Sequence, residues 1–93
     1  MPASTTQSPY LVSTNSTVTF NSILSVGDVV GTKNDGSPWK MVGIPDGLGA
    51  YDNGDGTMTV LMNHETGATT GVIRDHGSIG SFVSKLVIDK ATL

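Results

Sequence analysis

Three polar residues that could bind ligands, Asn63, His64 and Glu65, stand in a row after a segment with the pattern of an ordinary β-strand. Amide and carboxylate oxygens suit a hard cation such as Ca²⁺ or Mg²⁺, and imidazole can act as a ligand or a proton carrier. Such side chains gain precision when a rigid strand positions them. The elements that lead into this tripeptide therefore decide what chemistry it can support.

The strand before the tripeptide is half of a predicted hairpin. The sequence "DNGDG" at residues 52–56 has glycines where a tight turn needs positive φ. That turn places Asp46 across from residues 61–63, so Asp46, Asn63 and Glu65 meet at one edge of the sheet. Asn63 and Glu65 share a face, about 7 Å apart. The spacing predicts a cation site with Asp46 and Glu65 as metal ligands; alternatively, Asp46 caps a turn and Glu65 ends a strand in solvent.

His64 points to the opposite face, with Met58, Val60 and Met62. A histidine on an apolar face is most often a core residue whose ring N–H meets a carbonyl, and the alternative is a metal or catalytic role. The turn sequence "DNGDGT" also resembles part of a calcium loop. Glycines occupy two positions where an EF-hand needs oxygen ligands, so a tight turn is the better interpretation.

A second polar pair, Arg74 and His76, lies in "VIRDHG". An arginine near carboxylates can clamp an anion such as phosphate in a bidentate manner, or it can be a structural ion-pair partner. Both alternatives stay open from the sequence. We take Arg74 as a candidate catalytic residue beside Asn63, with His64 and His76 as supporting residues.

The composition limits the classes of protein that the chain can belong to. It has 93 residues, 37% hydrophobic and 14% charged, with a net charge of −3 and no cysteine. Disulfides, thiolate catalysis and cysteine-based zinc sites are excluded. The five basic residues are scattered, so we expect no nucleic-acid partner. No apolar run approaches the ~18 residues of a membrane span.

The element pattern predicts an all-β chain without helices. Residues 1–9 are expected to be a flexible arm, and residues 10–93 a single β domain or an incomplete propeller portion. Short β signals occur in "YLVS", "TVTFNSIL", "VGDVVG" and "WKMVG". The second half predicts four antiparallel strands: Leu48–Tyr51, Thr57–His64, Gly71–Arg74 and Ile79–Asp89. This meander is the unit of a propeller blade, and a small β-sandwich or a stacked-strand assembly is the alternative.

Two segments together resemble the N-terminal part of a family of secreted bacterial β-propellers related to the PhoX-type alkaline phosphatases. These are "GIPDGLGAYDNGDGTMTVLMNHE" and "GVIRDHGSIGSFVSKLVIDKATL". The resemblance covers Val26 to Leu93. It implies a multi-bladed fold, much longer than this chain, of which these residues would be the first blade. It also implies a secreted or periplasmic protein, although residues 1–10 lack the basic start and apolar run of a signal peptide.

The resemblance further implies a metal-dependent phosphatase with calcium and iron at the central face. Carried over by motif, Asn63 would contact phosphate, Glu65 would lie in or near the metal cluster, and His64 would support both. The chain departs from the pattern because it lacks the cysteine that the phosphatases use as an iron ligand, and because it ends before most of the metal ligands. We therefore expect it to be inactive by itself.

Two hypotheses about function follow. The chain is either part of a secreted metal-dependent phosphoesterase-like propeller or a non-enzymatic extracellular β module that assembles. In both cases its partners would be the remainder of a propeller or other copies of itself, because a lone blade leaves apolar faces and strand edges exposed.

Overall fold

The computed structural model describes Thr5 and residues 11–92. The regular secondary structure of these residues consists of five β-strands and one short 3-10 turn. They are β1 (Val29–Thr32), β2 (Pro38–Lys40), β3 (Pro45–Asp52), β4 (Thr57–His64) and β5 (Phe82–Asp89), followed by a 3-10 turn at Lys90–Thr92. The expected all-β, antiparallel chain is confirmed. Within the described residues no helix is long and apolar enough to cross a membrane.

The described chain divides into two compact units, one made of residues up to 41 with 91 and 92, the other of residues 42–90. In the first unit, β1 and β2 form an antiparallel hairpin with an irregular register between Val29 and Gly31. The predicted break between them is a turn closed by the Lys33 amide on the Ser37 carbonyl, with Gly36 at a φ of 84°. Immediately before β1, the buried Asp28 accepts a hydrogen bond from the Thr5 hydroxyl.

The second unit is a three-stranded antiparallel meander in the order β3-β4-β5. β4 and β5 pair without interruption from Thr57↔Asp89 to His64↔Phe82. The hairpin between β3 and β4 is closed by the Asn53 amide on the Thr57 carbonyl, and both of its glycines have positive φ. The tight turn predicted from "DNGDG" is therefore confirmed.

One face of this sheet is the core of the unit. Val60, Met62 and His64 of β4 are buried, as is Ile88 of β5. The sequence predicts this face for all three residues of β4, but Thr59, on the opposite face, is buried as well. The opposite face carries four large side chains that are exposed, and we call them the outer apolar strip: Tyr51, Leu61, Val83 and Val87.

Some expected strands are absent from the described residues. Gly71–Arg74 belongs to the loop between β4 and β5, because Gly71 and Gly77 adopt positive φ and a turn closes from Gly77 back to Arg74. The meander thus has three strands where four were expected, and its last strand starts at Phe82 instead of Ile79. The apolar and β-branched runs within residues 11–24 also form no strand.

Other predictions about organisation are not decided by these elements. The expected arm over residues 1–9 lies outside the described residues except for Thr5. The two described sheets have two and three strands and do not close into a propeller. The single β domain or propeller portion over residues 10–93 stays a prediction.

Candidate functional site

His64 is the anchor of the polar end of β4. Its side chain is completely buried, and its Nδ1 lies 3.2 Å from the carbonyl oxygen of Gly43. Its Nε2 lies 2.8 Å from the hydroxyl of Ser84 on β5. A carbonyl only accepts, so Nδ1 carries a proton and donates to Gly43, while Nε2 shares its hydrogen bond with the Ser84 hydroxyl. One imidazole thus connects the chain before β3, the central strand and β5.

An aromatic ring extends this anchor toward Arg74. Phe82 lies opposite His64 in the ladder, and the two rings stack with centroids 4.5 Å apart and planes inclined by 7°. The guanidinium carbon of Arg74 lies 3.8 Å from the Phe82 centroid. Since the imidazole covers one face of Phe82, the guanidinium must occupy the other, where the attraction between a cation and the ring adds to packing. The Arg74 Nη1 also donates to the Gly80 carbonyl at 2.9 Å.

Arg74 therefore has a structural role that is visible in its contacts. It pins the loop between β4 and β5 onto the last turn before β5. The Ser81 hydroxyl strengthens the same junction by donating to the Thr66 carbonyl at 2.8 Å. His76 is exposed, and its Nδ1 accepts the Ser78 amide at 3.3 Å within the tip of the loop. The candidate catalytic role of Arg74 and the supporting role of His76 stay predictions.

A strained corner faces the end of β4. Ile44 has a φ of 54°, a conformation that is costly for a β-branched residue. It is the one non-glycine residue with positive φ among those described. Its carbonyl accepts the Glu65 amide at 2.9 Å, directly after the Gly43 carbonyl has accepted the His64 ring. Two successive carbonyls of this corner therefore hold two successive residues of the tripeptide.

The backbone next to this corner brings Asp46 alongside Asn63. β3 pairs Pro45 with His64 and Leu48 with Met62, and the register shifts between those pairs. Asp46 and Gly47 therefore share the stretch opposite Asn63. A Cβ on Gly47 would lie 2.7 Å from the Asn63 side-chain oxygen, which shows that the amide of Asn63 crosses the Gly47 backbone. Only glycine allows that approach without displacing the amide.

These placements define what the site can offer to a cation. Asp46 and Glu65 are exposed, and Asn63 is half-buried, at the same end of the β3–β4 hairpin. The described residues contain no group of three or more His, Cys, Asp or Glu side chains able to hold a metal ion. Ca²⁺ prefers six to eight oxygen ligands. The described residues therefore do not make a complete calcium or iron centre, and no catalytic step through a metal follows from them.

The two carboxylates of the hairpin turn, Asp52 and Asp55, accept hydrogen bonds from groups close to the turn. Asp55 accepts from the Thr57 hydroxyl at 2.6 Å and from the Thr57 amide at 3.0 Å, and these bonds hold the pKa of Asp55 below its ordinary value. Asp52 accepts hydrogen bonds from the Gly54 amide and from Lys90. Both lower the pKa of Asp52, and the bond from Gly54 has the larger effect. Both carboxylates act as turn-forming groups, consistent with a tight turn and not a calcium loop.

Several residues of this region have only weak sequence signals. Ser84 and Phe82 are two residues apart and therefore lie on the same face of β5. Both could have been placed beside His64 once the register between β4 and β5 was known. Gly47 carries no signal until Asn63 is seen to cross it. Ile44 has none, because nothing in a β-branched side chain suggests positive φ.

Comparisons of the chain with models of protein families, with curated proteins and with solved structures give no match.

Proposed function

We propose that the chain is the first-blade part of a secreted, metal-dependent phosphoesterase-like β-propeller, and that it is not catalytic by itself. The observation that carries the proposal is the anchoring of the tripeptide. A fully buried His64 with two hydrogen bonds is flanked by Asn63 and Glu65 at the end of the central strand. Such an arrangement holds the backbone from which the two ligand-capable side chains project.

In this proposal, Asp46 and Glu65 supply carboxylate oxygens to a calcium ion, and the Asn63 amide contacts the substrate phosphate. The remaining ligands come from further blades. Arg74 follows Glu65 in the loop after β4, and its planar guanidinium suits phosphate oxygens. The proposal derives from the resemblance and is supported by the common location of Asp46, Asn63 and Glu65 at one end of the hairpin.

The melting temperature of the natural protein in millimolar Ca²⁺ and in chelator tests the proposal. A ligand that binds only the folded state raises the melting temperature by mass action. We expect Ca²⁺ to raise it, and Asp46→Asn with Glu65→Gln to abolish the rise. Asp55→Asn is the matched control, since it removes a carboxylate that is used within the turn. A melting temperature that is the same in Ca²⁺ and chelator contradicts the proposal.

A second candidate function is a non-enzymatic extracellular β module that assembles with copies of itself. It is favoured by the outer apolar strip, whose members are all at least 41% exposed. It is also favoured by the two outer edges of the meander, which have no further strand among the described residues. Sedimentation velocity tests this candidate, and a stable folded monomer at tens of micromolar would contradict it.

A further inference from the structure

The turn between β3 and β4 contains a chemically labile pair of residues. Asn53 is the one asparagine of the chain that is followed by glycine. At such a pair the backbone nitrogen of the glycine can attack the side-chain carbonyl carbon of the asparagine, because no Cβ on the glycine obstructs the approach. Gly54 has open space where a Cβ would lie. Both residues are exposed, so water reaches them.

Two threonine hydroxyls of β4 hold the Asn53 side chain. Its Nδ2 donates to the Thr57 hydroxyl oxygen at 2.9 Å, and its Oδ1 accepts from the Thr59 hydroxyl at 3.0 Å. We call these two bonds the Asn53 clamp. Thr59 is 2% exposed, so its hydroxyl is part of the packed sheet and has little access to water. Both polar ends of the amide are therefore engaged by the strand that follows the turn.

The attacking nitrogen is also engaged, by a carboxylate. The Gly54 N–H donates to the Asp52 Oδ1 at 2.9 Å. Loss of the Gly54 proton would place a second negative charge beside this carboxylate, which is unfavourable. Closure of a ring also draws the side-chain carbon of Asn53 toward the Gly54 nitrogen, whereas the Asn53 clamp draws the amide toward β4. The folded turn therefore opposes the reaction that its sequence favours.

We propose that Asn53 is a site of spontaneous deamidation, and that local opening of the β3–β4 turn controls its rate. In the open turn the Gly54 nitrogen loses its proton to water and bonds to the Asn53 side-chain carbon. The bond from that carbon to Nδ2 breaks, and Nδ2 takes up a proton and leaves as ammonia. Water then hydrolyses the succinimide ring to aspartate or isoaspartate. The proposal goes beyond both candidate functions and depends on neither.

Conversion of Asn53 would weaken the turn permanently. An aspartate at this position has no N–H to donate to Thr57, and it adds a third carboxylate between Asp52 and Asp55. Isoaspartate also lengthens the backbone of a tight turn by one atom. The converted chain should therefore have a lower free energy of unfolding than the original chain.

Peptide mapping by mass spectrometry tests the site, because deamidation replaces an amide by an acid. The chain is incubated in mildly alkaline buffer, folded or in denaturant, and the conversion of each asparagine is followed. We expect Asn53 to convert fastest in denaturant, and at least about tenfold more slowly in the folded chain, because the open turn is then a minor state. Asn21, which is exposed and precedes serine, is the internal control.

Two results would overturn these expectations. Conversion of Asn53 that is no faster than that of Asn21 in denaturant would overturn the site. Equal rates for Asn53 in the folded and denatured chains would overturn its protection by the fold.

Two variants distinguish opening of the turn from unfolding of the whole sheet. Thr59→Val keeps the size of a buried side chain and removes one bond of the Asn53 clamp. We expect about fivefold faster conversion of Asn53 in the folded chain, the ratio that corresponds to one hydrogen bond of ordinary strength. Ser84→Ala is the matched control, because it removes a buried hydrogen bond to His64 away from the turn. It should leave the rate unchanged.

In denaturant both variants should convert Asn53 at the rate of the wild type, since the chemistry itself depends on Asn53 and Gly54. An unchanged rate in folded Thr59→Val, or an equal increase in Thr59→Val and Ser84→Ala, would overturn opening of the turn as the controlling step.

Discussion

The Nε2 atom of His64 lies 2.8 Å from the Ser84 hydroxyl, so a hydrogen bond between side chains crosses from β4 to β5 directly beneath the Asn63–Glu65 end. The bond is buried at both ends, since His64 is inaccessible and Ser84 is 7% exposed. It complements the His64–Gly43 contact on the other side of the strand. The middle residue of the polar tripeptide is thus part of the core and is held from both sides.

Removing the Ser84 hydroxyl should be more costly than removing a comparable exposed hydroxyl. Ser84→Ala leaves the buried Nε2 of His64 without its partner, so we expect a loss of about 1–3 kcal/mol in the free energy of unfolding. Ser81→Ala is the matched control, because the Ser81 hydroxyl also makes one bond of 2.8 Å but belongs to an exposed residue. Denaturant titration measures both. Equal losses in the two variants would show that the buried His64–Ser84 bond contributes no more to stability than the Ser81 bond.

The positive φ of Ile44 predicts that replacing this residue by glycine increases the free energy of unfolding. Ile44→Gly removes the cost of positive φ, roughly 1–2 kcal/mol, and adds the backbone entropy of glycine, roughly 0.5–1 kcal/mol. Because Ile44 is 58% exposed, little packing is lost. We expect a net gain of up to about 1 kcal/mol. Ile44→Ala keeps the strain and should give no gain, and a gain of the same size in both variants would contradict the explanation.

The contact between Gly47 and Asn63 predicts a coupled pair of substitutions. Gly47→Ala puts a methyl group 2.7 Å from the Asn63 side-chain oxygen, so the amide must move. We expect a loss of about 1 kcal/mol in the wild type and almost none in an Asn63→Ala background, because the obstructing amide is then gone. The double-mutant cycle is measured by denaturant titration. Additive losses would mean that the methyl group is accommodated in another way.

Acid should weaken the hairpin turn through Asp55. Hydrogen bonds from Thr57 hold the pKa of Asp55 below its ordinary value of 3.8. A group with a lowered folded pKa contributes stability above its unfolded pKa and loses that contribution as pH falls through the folded pKa. The free energy of unfolding should therefore decline as the pH falls below about 3.8, and that of the Asp55→Asn variant should decline less steeply. An unchanged pH profile in Asp55→Asn would contradict this role.

The sequence could predict the second unit well where the local signals are strong. The glycines and asparagine of residues 52–56 specify a tight turn, and the alternation along residues 57–64 places His64 on the core face. Both features depend only on neighbouring residues. The predicted strand at Gly71–Arg74 failed because Gly71 and Gly77 favour turns, and because Arg74 is drawn onto Phe82, a partner that appears only once β4 and β5 pair.

The site could be predicted only in outline. Turn geometry places Asp46 opposite Asn63, which the register of β3 and β4 shows for the backbone. The strained corner at Ile44 and the crossing of Gly47 by Asn63 depend on three-dimensional contacts without a local sequence signal. The resemblance to PhoX-type propellers adds roles for Asn63 and Glu65 that stay proposals.

The most direct test of the central claim is a calcium titration followed through the backbone amide signals of the chain by NMR. Three oxygen-bearing side chains bind Ca²⁺ weakly, so the titration should extend to tens of millimolar. We expect saturable shifts at Asp46, Asn63 and Glu65, which Asp46→Asn with Glu65→Gln removes. Shifts confined to the turn carboxylates Asp52 and Asp55, or uniform changes that do not saturate, would contradict a cation site at the end of β4.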